Sequence, residues 1–550
     1  MHKLLRQHAL SIFILFLLFS GAVFMRFYNL NWDEGNLFHP DERNIASAVT
    51  KILFFSQLNP QFFAYGGFSI YLYRFAANVL VFFTHDQRWI MNWGSINLIG
   101  RFFSALFASV TLIPLYFLAK NVFNRQTAIL SSIFYAFCVS AIQLAHFATT
   151  DSLLTGEGVL MGLLGVSLYH QFSWKKVLST GFIFGISVAT KTTAISLLLF
   201  PLLGIGLAVF PKRISLGKAL FSFAILLLIS AIFFTLFSPY TILDYKDFLS
   251  SMRYESGVAT GSLPVVYTYQ FNGSIPYLFQ LYNFFWQIGF LVPCGILGVF
   301  LTMYLFYRTQ HMKYVIFLIF PLFYFFYVGS WHTKFIRYML PFLPFFVIYA
   351  SAFLVWLQKY NKVLSYVLIG FLFTTNLCWA IAFFTIYTRP QTRIVASEWI
   401  YAHIPAGSRL LTEQWDDGLP ITVGMNTAAV YSSLGLAMYD SDTQTKRFYL
   451  AQSLANNDYL IFNSRRLYGT LIHLTKQYPL TSTYYKDLFN NSLGYKQIAT
   501  FTSYPILLGL TFPDDITEET FQVYDHPKVI IFKNSKHYAT KQLYDILGAQ

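Results

Sequence analysis

Apolar runs of about 20 residues recur through the first two-thirds of this 550-residue chain. In a bilayer a run of that length must hydrogen-bond its own backbone, so each is expected to be a helix. Charged residues make up only 11% of the sequence, whereas soluble domains carry about a quarter. Mean hydropathy is +0.50 and 56% of residues are hydrophobic, which excludes an ordinary soluble protein. Expected spans fall at 9–27, 96–118, 127–147, 153–172, 177–189, 194–210, 219–237, 284–305, 314–328, 339–356 and 363–386, about 11 crossings. The first run follows Lys3 and Arg6 as a signal peptide would, but no A-x-A-like site closes it, so it reads as an uncleaved span.

The net charge of +14 does not point to nucleic acid. Its basic residues sit in short connections: Arg125, Lys175 with Lys176, Lys212 with Arg213 and Lys218, Arg308 with Lys313, and Lys359 with Lys362. None of these connections holds Asp or Glu, the pattern of cytoplasmic loops. The N-terminus is then cytoplasmic, and three regions lie outside: 28–95, 238–282 and the tail from 387. A membrane module of 1–386 and an external α/β domain of 387–550 follow from that division. In the tail, "DYLIFNS", "YKQIATF" and "FQVYDHPKVIIFKN" predict strands, and "TRIVASEWIYAHI" predicts a helix. Cys138, Cys294 and Cys378 all lie in apolar segments, so neither a disulfide nor a zinc site is expected.

The first external region opens with "WDEGNLFHPDER", a cluster of carboxylates in a charge-poor chain. Pro40 suits the first turn of a helix, which places Asp41 and Glu42 at its N-terminus. Apolar residues at Ile45, Ala48, Val49, Ile52 and Phe55 predict an amphipathic helix along the membrane surface. A second interfacial helix is expected at 68–83, with a re-entrant segment as the rival reading. Asp33, Asp41 and Glu42 are the candidate catalytic carboxylates; a solvated loop and a plain helix start are the competing reading. Charges at membrane depth are costly and suggest function. They are Asp151 beside His146 in "HFATTDSLLT", Lys191 in "ATKTTAI", Lys334 with Arg337 in "WHTKFIRYMLPFLPF", and Arg101 in "LIGRFFSALF". Helix capping for Asp151, snorkelling for Lys191 and headgroup anchoring for the others stay open. His146 also fits a satisfied interface residue. Glu157 fits a hydrogen bond inside the bundle, and Glu413, Asp416 and Asp417 a solvated turn, with contact to an acceptor as the rival reading.

Carboxylates and cations on one side of a membrane allow an Asp to take a proton from an attacking hydroxyl while Lys and Arg stabilise a departing phosphate. "HPDERN", "GRFFSALFAS", "HFATTDSLLT", "ATKTTAI", "SPY" at 238–240 and "KFIRYMLPFLPF" occur here in that order. This order resembles the lipid-carrier-dependent glycosyltransferases of the GT-C superfamily, in the protein O-mannosyltransferase and aminoarabinose-transferase-like branch. The resemblance implies a multispanning enzyme with an external active site, a polyprenyl-phosphate sugar donor, inversion at C1 and no metal or other cofactor. It gives Asp41 the role of base, with Glu42 beside it, and matches Asp151 to the acidic residue that starts the fourth span and Lys191 to the lysine that begins a later one; Asp33 stays a further catalytic candidate and His146 a supporting one. The aminoarabinose-transferase-like members carry an acidic–lysine pair further along the first loop. Here "FFAYGGFSIYLY" has no lysine, so the phosphate contact shifts to Lys191, Lys334 and Arg337, with Arg101 a further candidate. The implied partners are a polyprenyl-linked sugar and an acceptor lipid, protein or glycan, and the implied location is a prokaryotic plasma membrane. A lipid transporter or flippase is the main alternative, but matched halves and mid-membrane ionisable groups are not evident. A membrane scaffold whose tail binds a partner is the other.

Overall fold

A computed structural model describes residues 2–548. The chain divides into two compact units, Met1–Leu263 with Gly273–Phe384, and Pro264–Asn272 with Thr385–Gln550. The first is a polytopic helical membrane unit. Among the described residues, 7 helices are long and apolar enough to cross a membrane, or 8 if the pair Arg125–Ala136 and Val139–His146, bent by 57°, is one span. Length and composition therefore do not by themselves yield the expected 11 crossings. Two further expected spans are broken. The run at 194–210 begins as a 3-10 helix, Thr192–Leu198, before continuing as Leu199–Leu207. The run at 284–305 divides into Leu278–Ile288 and Leu291–Thr309 around Gly289, whose φ of +63° leaves helical space. Gly67–Thr84, expected as an interfacial or re-entrant segment, is an unbroken helix of 18 residues with span-like composition.

In the first external region the helix Pro40–Lys51 forms as its spacing predicts, burying Ile45, Ala48 and Val49 against Ile70, Tyr73, Ala77, Ile96 and Ile99. Phe55 departs from the expectation. The helix has ended at Lys51, and Phe55 stands fully exposed in the turn between Leu53 and Gln57.

The second unit is an α/β domain. Its strands are β1 (Arg409–Glu413), β2 (Ser432–Leu436), β3 (Tyr459–Phe462), β4 (Tyr495–Phe501), β5 (Ile506–Leu507), β6 (Leu510–Thr511) and β7 (Val529–Asn534). Five of them make a mixed sheet in the order β2-β1-β3-β7-β4, and β5-β6 is a separate hairpin. Alternate residues feed two cores. Leu410, Tyr459, Ile461 and Ile531 pack with Ala396 and Ile400 of the helix Thr392–His403. Leu411, Leu460, Phe462 and Phe532 pack with Leu450, Leu454, Tyr484 and Leu488 from Gln444–Asn456 and Pro479–Phe489. Val266 and Tyr269, read from sequence as part of the second external loop, join this latter core. The first half of "FQVYDHPKVIIFKN" is not strand, and only Val529–Asn534 pairs. Glu413 and Asp416 are not in a solvated turn. Glu413 is buried and accepts from the Tyr485 hydroxyl at 2.6 Å, and the Asp416 side chain, 4% exposed, accepts from Ser464 at 2.6 Å and Arg393 at 3.3 Å.

His526 is buried between two carboxylates, with Nδ1 2.5 Å from Asp525 and Nε2 2.7 Å from Asp514. Burial alone lowers an imidazole's pKa, but Asp514 and Asp525 overcome it and hold His526 at about 10. Because the folded value lies above the ordinary 6.5, its stabilisation is complete below 6.5 and is lost as pH rises through about 10. Thermal denaturation of the full-length protein should show a midpoint falling across that window. His526→Leu should flatten the fall and cost about 3–5 kcal/mol at neutral pH, having left two buried carboxylates without their cation.

Candidate active site

His39 caps the helix Pro40–Lys51, its Nδ1 accepting from the Asp41 backbone at 3.2 Å. Burial pushes the His39 imidazole down to about 3, which keeps it neutral in this accepting role. Neighbouring positions on a helix diverge by about 100°, so Asp41 and Glu42 face different surroundings. Glu42 is fully buried, whereas Asp41 keeps 22% of its side chain open.

Asp41 Oδ2 is held by the Arg337 guanidinium and by the Tyr65 hydroxyl, the latter at 2.8 Å. Among the described residues, nothing donates to Oδ1. Lys191 Nζ stands 3.3 Å from Asp151 Oδ1, 5.4 Å from the Tyr65 ring and 5.6 Å from the Tyr338 ring. The Arg337 guanidinium lies 5.7 Å from that same Tyr338 ring. Asp41, Tyr65, Lys191, Tyr338 and Arg337 thus form one continuous group. Burial pushes the Asp41 carboxyl up, but Arg337, His39 and the Arg337 and Tyr65 hydrogen bonds outweigh it and hold it well below the usual range.

Local backbone geometry brings these side chains together. Lys191 caps the helix Trp174–Thr190 in extended conformation. Gly66 donates to the Thr190 carbonyl at 3.0 Å and Gly67 to Ser238 Oγ at 3.1 Å, which sets Tyr65 beside Lys191. A Cβ on Gly66 would collide with the Ala189 carbonyl, so this approach requires glycine.

Glu255, on the helix Tyr245–Thr260, also faces the group. One turn before it, Met252 Sδ accepts from Thr192 Oγ1 at 3.4 Å; one turn after it, the Val258 carbonyl accepts from Thr333 Oγ1 at 2.7 Å. Burial, then Asp41, pushes its carboxyl up, while Lys191 and Arg337 pull the other way.

Arg101, Asp33 and Glu42 form a second, closed cluster. The five N–H donors of Arg101 are all engaged: Nε with Glu42 Oε1, one terminal nitrogen with Leu30 O and Asp33 Oδ1, the other with Asp33 Oδ2 and Glu42 Oε2. All three side chains are at most 2% exposed, and the guanidinium lies 4.7 Å from the Trp32 ring. Burial pushes both carboxyls up. For Asp33 this is outweighed by Arg101 and the Gly35 and Leu37 amides, leaving it low; Glu42 stays raised. Arg101 therefore has no donor left for a phosphate, and Asp33 and Glu42 have no open route to a substrate. Their geometry is that of a clamp. Glu42 also accepts from the Ala148 backbone at 2.6 Å, joining the first external region to the segment leading into Asp151.

The remaining expected residues divide. Asp151 and Lys191 pair, and the second Asp151 oxygen is buried with no hydrogen bond from the described residues. Lys334 donates only to the His332 carbonyl, at 3.0 Å, and makes no ion pair among the described residues. His146 is fully buried, its ring nitrogens facing the Ile142 carbonyl at 2.8 Å and the Tyr28 carbonyl at 2.9 Å, so it braces the start of the external region. Glu157 accepts from Thr190 Oγ1 at 2.9 Å, inside the bundle as expected. Tyr65, Tyr338 and Glu255 were not anticipated. "YGG" at 65–67 was the available signal for Tyr65; no pattern marks the other two.

Residues 92–242 match the family described as dolichyl-phosphate-mannose-protein mannosyltransferase, and that segment holds Arg101, Asp151 and Lys191. The match is confined to that segment of the chain. The chain is also similar to solved structures. One is an oligosaccharyltransferase from Archaeoglobus fulgidus, with 13% identity, a TM-score of 0.48, and 85% of this chain and 71% of that chain covered. Another is ArnT from Cupriavidus metallidurans bound to undecaprenyl phosphate, with 14% identity, a TM-score of 0.46 and 72% of each chain covered. A third is the arabinofuranosyltransferase AftD from Mycobacteria, with 13% identity, a TM-score of 0.38, and 95% of this chain and 41% of that chain covered. No curated protein matches the sequence.

Proposed function

We propose that this enzyme moves a sugar from a polyprenyl-phosphate donor to an acceptor hydroxyl on a lipid, protein or cell-envelope glycan. The reaction takes place on the external face of a prokaryotic plasma membrane, with the N-terminus cytoplasmic. The observation that carries the reading is the single group in which Asp41, with one oxygen open, stands beside Arg337 and close to Lys191. The acceptor hydroxyl attacks C1, the bond from C1 to the phosphate oxygen breaks, and Asp41 Oδ1 takes the hydroxyl proton. Attack opposite the leaving phosphate inverts the anomeric centre. Lys191 and Arg337 receive the departing charge, so the step asks for no metal or other cofactor.

Asp41 paired with Arg337 is a weak base. A donor phosphate competes for that guanidinium, and as it engages Arg337 the carboxylate loses its counter-ion and gains basicity. Proton transfer then comes late, as the new C1–O bond forms.

Radiolabel transfer from a polyprenyl-phospho-sugar by the purified protein tests the reading. Arg337→Met should lower transfer by about 10²–10³-fold, the usual effect of losing one donor to a developing anion. Lipid movement across the bilayer without covalent transfer would replace the reading with a flippase.

A further inference from the structure

The hairpin β5–β6 of the second unit has an apolar, uncharged tip. From Ser503 to Phe512 the sequence, "SYPILLGLTF", holds no charged residue. Ile506 pairs with Thr511 and Leu507 with Leu510, and the Phe512 amide donates to the Pro505 carbonyl at 2.9 Å. The two turn residues, Leu508 and Gly509, both have positive φ, +50° and +84°. Glycine, asparagine and aspartate ordinarily occupy such a turn. A leucine there is disfavoured by its backbone, and it also leaves its side chain 96% exposed. Leu510 is 67% exposed and nearby Ile516 69% exposed. Neither local conformation nor packing explains this choice of residues; an apolar surrounding does.

The base of the hairpin shows which surrounding is within reach. The Ile506 amide donates to Thr385 Oγ1 at 3.1 Å. Arg389 Nε donates to the Thr385 carbonyl at 3.1 Å, and its terminal nitrogen to the carbonyls of Ser503 at 3.2 Å and Tyr504 at 2.6 Å. Thr385 is the residue directly after the helix Lys362–Phe384, the last apolar helix of the membrane unit. The hairpin is therefore pinned to the residues that directly follow this apolar helix. Its tip extends roughly 7–10 Å from that pin, comparable with the depth to which interfacial segments enter the headgroup and acyl boundary. The charges that follow are occupied elsewhere, Asp514 by His526 and Asp515 by the Tyr504 hydroxyl.

We infer that the β5–β6 hairpin inserts Leu508 and Leu510 into the lipid interface, anchoring the α/β domain to the membrane surface. The full-length protein carrying Leu508→Cys, labelled with an environment-sensitive fluorophore, tests this in phosphatidylethanolamine and phosphatidylglycerol nanodiscs. Labelling of the unsubstituted protein serves as the baseline, since Cys138 and Cys294 are buried and Cys378 partly so. The expected result is blue-shifted emission, quenched about twofold or more by lipids with a nitroxide near the headgroup and little affected by iodide. Leu510→Cys should behave alike. Iodide quenching without nitroxide quenching would overturn the inference by placing the tip in water. A blue shift without nitroxide quenching would overturn it by placing the tip against protein.

Discussion

Asp41→Asn is expected to lower the rate of sugar transfer by roughly 10²–10⁴-fold, the range supplied by a positioned general base. The substitution keeps the size of the side chain and removes its negative charge. Tyr65 can still donate to the amide oxygen, so the loop should stay in place. Arg337 loses its counter-ion, and donor phosphate should therefore bind no more weakly than before. The expected signature is a fall in kcat with KM for the donor unchanged or lowered. A comparable rise in KM with kcat preserved would instead give Asp41 a binding role, and near-normal turnover would remove it from the chemistry.

Arg101→Ala should affect the protein differently. It strips the shared cation from Asp33 and Glu42, both almost fully buried. Breaking one buried pair in this way costs about 3–5 kcal/mol, a large part of a typical folding free energy of 5–15 kcal/mol. Here two carboxylates are stranded at once, and the clamp to Ala148 is lost with them. Thermal denaturation should show severe destabilisation, with little active protein recovered. Arg101→Lys keeps the charge but has only three donors in place of the planar fork, so intermediate stability is expected. If Arg101 instead held donor phosphate, Arg101→Lys would retain stability and raise KM for the donor.

The helical character of the membrane unit was legible because period and length act locally. An apolar run of span length has few alternatives in lipid. The breaks were not legible. Gly289 stands inside an apolar run with nothing beside it to show that its φ turns positive. The helix at Pro40 was readable from proline and acid spacing alone, and the structure agrees to the residue at its start. Which of its two acids stays open was not readable. That depends on Arg101 and Arg337, 59 and 296 residues distant from their partners in sequence. The same distance hid the roles of Tyr65 and Glu255. In the tail, β3, β4 and β7 carry the β-branched or aromatic residues that mark strands, whereas β2 reads "SSLGL" and offers almost no such signal.

The most direct test is a structure of the protein with polyprenyl phosphate bound. The expected result is a phosphate within hydrogen-bond reach of both Lys191 and Arg337, with Asp41 released from the guanidinium and facing the place of the sugar. A phosphate held elsewhere, with the pairing of Asp41 and Arg337 undisturbed, would contradict it.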